Sequence, residues 1–70
     1  MERESVQSSN LKSVGYDPLS HILEIEFHSG GLYQYSVVPE SVHRELMMAG
    51  SKGSYFDRNI KNRFPYHKLG

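Results

Sequence analysis

The chain contains no cysteine, no net charge and no long apolar run among its 70 residues. Without cysteine there is no disulfide to hold a small fold together, and the composition fits a reducing compartment. Residues 1 to 20 show no leader-like apolar core, and no stretch reaches the roughly 20 apolar residues that a membrane-spanning helix needs. These absences point to a soluble cytoplasmic domain with no membrane partner. A single domain over residues 1–70 is the most that this length allows, and so short a chain buries only about 60% of the surface it exposes when unfolded.

Zero net charge conceals an uneven distribution. Up to residue 40 the chain has two cations, Arg3 and Lys12, against six carboxylates, for a net −4. Beyond it, Arg44, Lys52, Arg58, Lys61, Arg63 and Lys68 face only Glu45 and Asp57, for a net +4. Such asymmetry marks either an anionic partner for the basic half or two halves that attract each other on folding.

The acidic half reads as strands. In HILEIEFHSG, Leu23, Ile25 and Phe27 alternate with Glu24 and Glu26, the period-two pattern of a strand with one wet face. Ser29, Gly30 and Gly31 form a turn, and LYQYSVV returns as the second strand of a hairpin. A three-residue loop at 29–31 sets Phe27 opposite Tyr33, Ile25 opposite Tyr35 and Leu23 opposite Val37, so that every inward pair is apolar. Glu24 and Glu26 then belong to an ordinary solvated face. Upstream, Val14 and Tyr16 share one face of a third strand, joined by a turn at Asp17–His21. Residues 5–9 add a short edge strand, and Gly15 within its strand signals a bulge or a close backbone approach.

The basic half reads as helices. Pro39 suits a first helical turn, and Val42, Leu46 and Ala49 form an apolar stripe broadened by Met47 and closed by Gly50. Ser54 with Asp57 resembles a capping box for a second helix carrying Tyr55, Phe56 and Ile60, which Pro65 terminates. The fold class expected is therefore α+β: a three- to four-stranded antiparallel meander followed by two short helices packed on one face. Its core runs from about residue 5 to 64, with 65–70 as a flexible tail.

Catalytic chemistry finds little support. There is no cysteine nucleophile, no GxSxG elbow and no phosphate-cradling glycine loop. His21, His28, His43 and His67 match no metal-ligand spacing, so neither a metal nor a cofactor is expected, and no small-molecule substrate is indicated. His43 reads as a semi-buried packing residue. What remains is the stretch from 52 to 68, where Lys52, Arg58, Lys61, Arg63 and Lys68 interleave with Tyr55, Phe56, Phe64 and Tyr66. Dispersed cations meet phosphates and flat rings meet unpaired bases, which is the composition of a single-stranded RNA binder. The competing reading makes Tyr55 and Phe56 core anchors of the last helix and the cations its solvated face.

Several spaced blocks, SSNLKSVGYD, LEIEFHSGGLYQYSVVP, LMMAGSKGSYF and NIK, together resemble the KTSC domain, named for the C-terminal segment of some lysyl-tRNA synthetases. The resemblance covers about Ser8 to Lys61 and includes the element Tyr33-Gln34-Tyr35. It implies a free-standing bacterial domain in which RNA binding is suggested by the synthetase attachment alone, a context this chain does not carry. It transfers no catalytic or ligand residue onto this chain. The expected function is thus weak RNA or tRNA binding without enzymatic activity. Lys52, Arg58, Lys61, Arg63 and Lys68 would meet phosphates, and Tyr66 would stack on a base. The alternative is a protein–protein or self-association module using a sheet edge or the helix stripe with Met47 and Met48.

Overall fold

The computed structural model describes residues 1–70. Its elements run β1 (Glu4–Ser5), β2 (Leu11–Asp17), β3 (Ile22–Phe27), β4 (Leu32–Tyr35), α1 (Glu40–Met48), α2 (Lys52–Asn59) and β5 (Tyr66–Lys68). The strands form one antiparallel sheet in the order β1-β2-β3-β4-β5. The α+β class and the order of meander and helices are those expected from the sequence. The C-terminal segment is the difference: instead of a loose tail it returns beside β4 as a fifth strand, with Tyr35 opposite Tyr66 and Tyr33 opposite Lys68. No helix is long and apolar enough to cross a membrane.

The β3–β4 hairpin keeps the expected faces but not the expected partners. Leu23 lies opposite Tyr35 and Ile25 opposite Tyr33, two residues away from the register read from the pattern. The loop is His28-Ser29-Gly30, closed by the Phe27 amide donating to the Gly31 carbonyl at 2.8 Å. Gly30 has φ +106°, the left-handed conformation that the end of such a loop demands, whereas Gly31 does not. A two-residue slip preserves which side chains face inward, so alternation alone could not tell the registers apart. One expectation does change. Val37, expected inside, stands exposed with φ +60°, and the chain reversal there carries Val38 into the core. Val38 is fixed by its amide bond to the His21 carbonyl (2.9 Å) and by the Tyr16 hydroxyl, which donates to its carbonyl.

The inner face of the sheet supplies Leu11, Val14, Leu23, Ile25 and Tyr35 to a single core with Val38, Leu46, Phe56 and Ile60. Both helices therefore cover the same face. Pro39 caps α1, whose stripe is Leu46 fully buried with Val42 and Met47 partly so, while Met48 points out. The second helix starts earlier than expected: Ser51, not Ser54, is its N-cap, and its hydroxyl accepts the Ser54 amide at 3.3 Å. It also ends at Asn59, well before Pro65, with Ile60 as its C-cap.

The outer face corrects the picture of a solvated acidic surface. Glu24 is only 5% exposed. The cause lies some twenty residues upstream, where β1 pairs with β2 and brings the Arg3 guanidinium over the sheet. Gly15 makes room for this: a Cβ there would come 2.6 Å from the Glu2 carbonyl, so the close backbone approach is real. The register irregularity of β2 falls at Lys12 instead. Arg3 donates to Glu24 (2.5 Å) and to the Ser13 hydroxyl (3.0 Å), Ser13 donates to Glu26 (2.9 Å), and Gln34 donates to the other Glu24 oxygen (2.9 Å). One connected network thus spans β2, β3 and β4, with no buried side-chain polar atom left unpaired.

Burial pushes the Glu24 carboxyl up, but the hydrogen bonds from Gln34 and Arg3 and the Arg3 charge outweigh it and hold the carboxyl below its ordinary range. A carboxylate depressed in the folded state stabilises above its unfolded pKa, and that stabilisation disappears as pH falls through the folded value. Arg3→Ala is expected to destabilise the domain at neutral pH by roughly 1–3 kcal/mol, the cost of leaving a buried acceptor unpaired. The deficit should shrink in acid, which denaturant titration at several pH values measures.

Candidate functional site

Where β5 joins β4, the inner face is not fully covered by the helices, and an open cleft of about 480 Å³ remains between the sheet and α2. That volume lies within the range of about 300–1,000 Å³ typical of ligand sites. Its walls are Phe27, Tyr33, Tyr35, Phe56 and Tyr66. Alternation puts Tyr33 and Tyr35 on the core face of β4, and the pairing with β5 sets Tyr66 beside them. The rings lock edge to face: Phe27 against Tyr33 at 5.5 Å and Phe56 at 5.4 Å, and Tyr35 against Phe56 at 5.6 Å. Tyr66 lies 5.5 Å from Tyr35 and 5.8 Å from Tyr33, tilted to both and half exposed.

The two tyrosines of the YQY element therefore do two things. Tyr35 is a core residue at 5% exposure, while Tyr33 is half buried and forms part of an accessible wall. Burial, with a smaller effect of the neighbouring Tyr33 and Tyr66, pushes the Tyr35 hydroxyl up to about 12. It stays neutral at ordinary pH and forms part of the cleft wall.

The rim is polar. Asp57 on α2, Lys61 and Asn62 just beyond that helix, and Asn10 and His28 complete the lining. The His28 ring is engaged with the backbone, its Nε2 lying 3.1 Å from the Ser8 carbonyl. Chemically, the arrangement offers the accessible faces of Tyr33 and Tyr66 to a flat group, with a cation and amide groups among the lining.

Of the six residues read from the sequence as RNA contacts, the fold brings three to this corner. Lys61 and Tyr66 line the cleft, and Lys68 is on the same strand face as Tyr66, opposite Tyr33. Lys52 lies at the far end of α2, donating to the Ala49 carbonyl at 3.2 Å. Arg58 and Arg63 are exposed and outside the cleft lining. Phe56, expected as a core anchor, is one and also a cleft wall. Tyr55 is partly buried and ties α2 to α1 through a 2.7 Å bond to Glu45. Asn10, His28 and Asp57 carry no signal in the sequence that marks them as site residues.

Comparison with known proteins agrees with this architecture. The KTSC domain family model matches residues 7–64. The chain belongs to the KTSC domain family. A KTSC domain protein of Yersinia pestis, solved by crystallography, superposes with a TM-score of 0.96 at 48% identity, covering 99% of this chain and 97% of that one. An uncharacterized protein of Stutzerimonas stutzeri is 49% identical over 61 residues, 87% of this chain and 86% of its own length. A lysine–tRNA ligase of a Nostoc strain is 43% identical over 63 residues, which is 90% of this chain but 11% of the ligase. The KTSC domain thus occurs both as a protein of this size and as a small part of a much larger enzyme.

The Tyr35 shift yields a test of the cleft wall. A hydroxyl raised in the folded state leaves stability intact below its ordinary value of 10 and removes it as pH climbs towards 12. Tyr55 behaves likewise, raised to about 12 by burial and then by its bond to Glu45. Tyrosinate absorbance should show these two hydroxyls ionising late and together with unfolding. Tyr35→Phe should remove part of the alkaline loss of stability.

Proposed function

We propose that this KTSC domain binds single-stranded RNA, or an unpaired segment of tRNA, in the aromatic cleft and has no enzymatic role. The observation that carries this reading is the meeting of Tyr33 and Tyr66 with Lys61 and Lys68 at one corner of the sheet. Rings of this kind stack on unpaired bases irrespective of sequence, and flanking cations neutralise the phosphates on either side. The occurrence of a similar domain within lysine–tRNA ligases supports an RNA context, and a cytoplasmic location accords with it.

Lys61 and Lys68 take the role of phosphate ligands and Tyr66 that of the stacking ring. Lys52, Arg58 and Arg63, outside the cleft, contribute at most to the diffuse positive field of the C-terminal half. The alternative, self-association, would use the exposed Met48 or the free edge of β5.

Fluorescence anisotropy with short labelled RNA at several salt concentrations tests the proposal. Binding should weaken steeply with salt. Replacing both Lys61 and Lys68 by alanine should flatten the log–log slope by about 1.4, since each phosphate neutralised on a single strand accounts for about 0.7. Tyr66→Ala should weaken binding by roughly 1–3 kcal/mol at every salt concentration. Lys52→Ala should leave both nearly unchanged. No binding at low salt, together with concentration-dependent sedimentation, would favour the self-association reading instead.

A further inference from the structure

The rim of the cleft contains a feature that a simple phosphate-binding groove would avoid. Asp57 is a carboxylate facing the space that would hold a polyanion. All three ion pairs of the molecule involve Arg3, Lys12, Glu24 and Glu26, so no cation of the chain is paired with Asp57. Neither does any side-chain hydrogen bond engage it, whereas Asp17, the chain's other aspartate, is satisfied by Ser20 and the Leu19 amide. Asp57 is exposed on α2 and shares the cleft lining with Lys61 and Asn62, which follow the end of that helix.

We infer that Asp57 reads the Watson–Crick edge of a base held in the cleft, and that the base is guanine. The inference rests on the proposed RNA binding and adds its specificity. A carboxylate has two acceptors and no donor at neutral pH. Guanine alone among the four RNA bases offers two adjacent donors on that edge, its N1–H and its 2-amino group, which meet the two oxygens in a bidentate, charge-assisted pair. Adenine and cytosine set an amino donor beside a ring-nitrogen acceptor, and uracil sets a single N–H between two carbonyls, so each brings an acceptor against the carboxylate. Such a site discriminates strongly because the wrong base leaves a charged group facing an unmatched acceptor. Stacking on Tyr33 and Tyr66 holds the ring, and Lys61 offsets the negative charge of Asp57 towards the flanking phosphates.

Anisotropy competition with short uridine oligomers carrying one central guanosine, inosine, adenosine or cytidine tests this. Guanosine should bind best, by roughly tenfold over adenosine and cytidine. Inosine, which keeps N1–H but lacks the 2-amino group, should fall between. Asp57→Asn should erase the guanosine preference while the other oligomers bind as well as before or better, since a negative charge has gone. Asp57 is exposed on a helix, so the variant should fold, and circular dichroism checks that. A uniform rise for all oligomers in Asp57→Asn, with their ratio unchanged, would show that Asp57 only repels phosphate and would overturn the assignment. RNA binding with no base preference in the parent chain would do the same while leaving the proposed function standing. Free GMP competing as strongly as the guanosine oligomer would retain the base assignment and contradict RNA as the ligand, and no binding by any probe would remove both.

Discussion

The β3–β4 hairpin is the constraint on which the rest of this small domain depends. Gly30, in the left-handed region, closes the loop and thereby sets Tyr33 opposite Ile25 and Tyr35 opposite Leu23 on one face of the sheet. Every later element relies on that placement. The helices pack Leu46, Phe56 and Ile60 onto this face, and β5 pairs with β4 so that Tyr66 joins the same row of rings. Core and cleft are built from the same aromatic side chains. Tyr35 shows this most clearly, being a buried packing residue that also forms the floor of an accessible space. In so short a chain, core packing and cleft walls draw on the same few aromatic residues.

The opposite face solves a different problem. A five-stranded sheet with helices on one side leaves its other side facing water, and here β3 presents Glu24 and Glu26 on that side. The N-terminal strand brings Arg3 across them, so a repulsive pair becomes part of a network with Ser13 and Gln34. Buried ionic networks contribute less to net stability than their count suggests, because desolvation offsets the attraction. Their effect here is positional, since Arg3 holds a two-residue edge strand in place that would otherwise fray. The ion pairs stay within the acidic half, where Arg3 and Lys12 meet Glu24 and Glu26, and no cation beyond Pro39 forms one.

What the sequence made legible follows from which signals are local. The alternation in LEIEF and LYQY fixed the hairpin and the inward orientation of both tyrosines, because parity survives a register slip. It could not choose between Gly30 and Gly31 for the left-handed position, and the two-residue shift followed. Strand β5 was invisible because three residues after a proline carry no periodicity, and their pairing with β4 is decided by the helices that lead the chain back. Glu24 looked solvated because the residue that covers it lies far upstream. In the site, composition pointed to Lys61, Tyr66 and Lys68 but equally to Lys52, Arg58 and Arg63, since only the fold shows which cations converge. Asn10, His28 and Asp57 escaped notice for the same reason: alone, each is an ordinary turn or helix residue, and only their arrangement around the rings sets them apart.

The central claim is that one corner of the sheet, where β4, β5 and α2 meet, is the binding surface of this KTSC domain. Backbone amide chemical-shift mapping of isotopically labelled protein during titration with a short single-stranded RNA at low salt tests it directly. The account predicts that the shifts concentrate on Tyr33, Lys61, Tyr66 and Lys68 and their neighbours, and leave α1 and the Arg3 network unmoved. Shifts centred on α1 and Met48, or none at all at low salt, would contradict it.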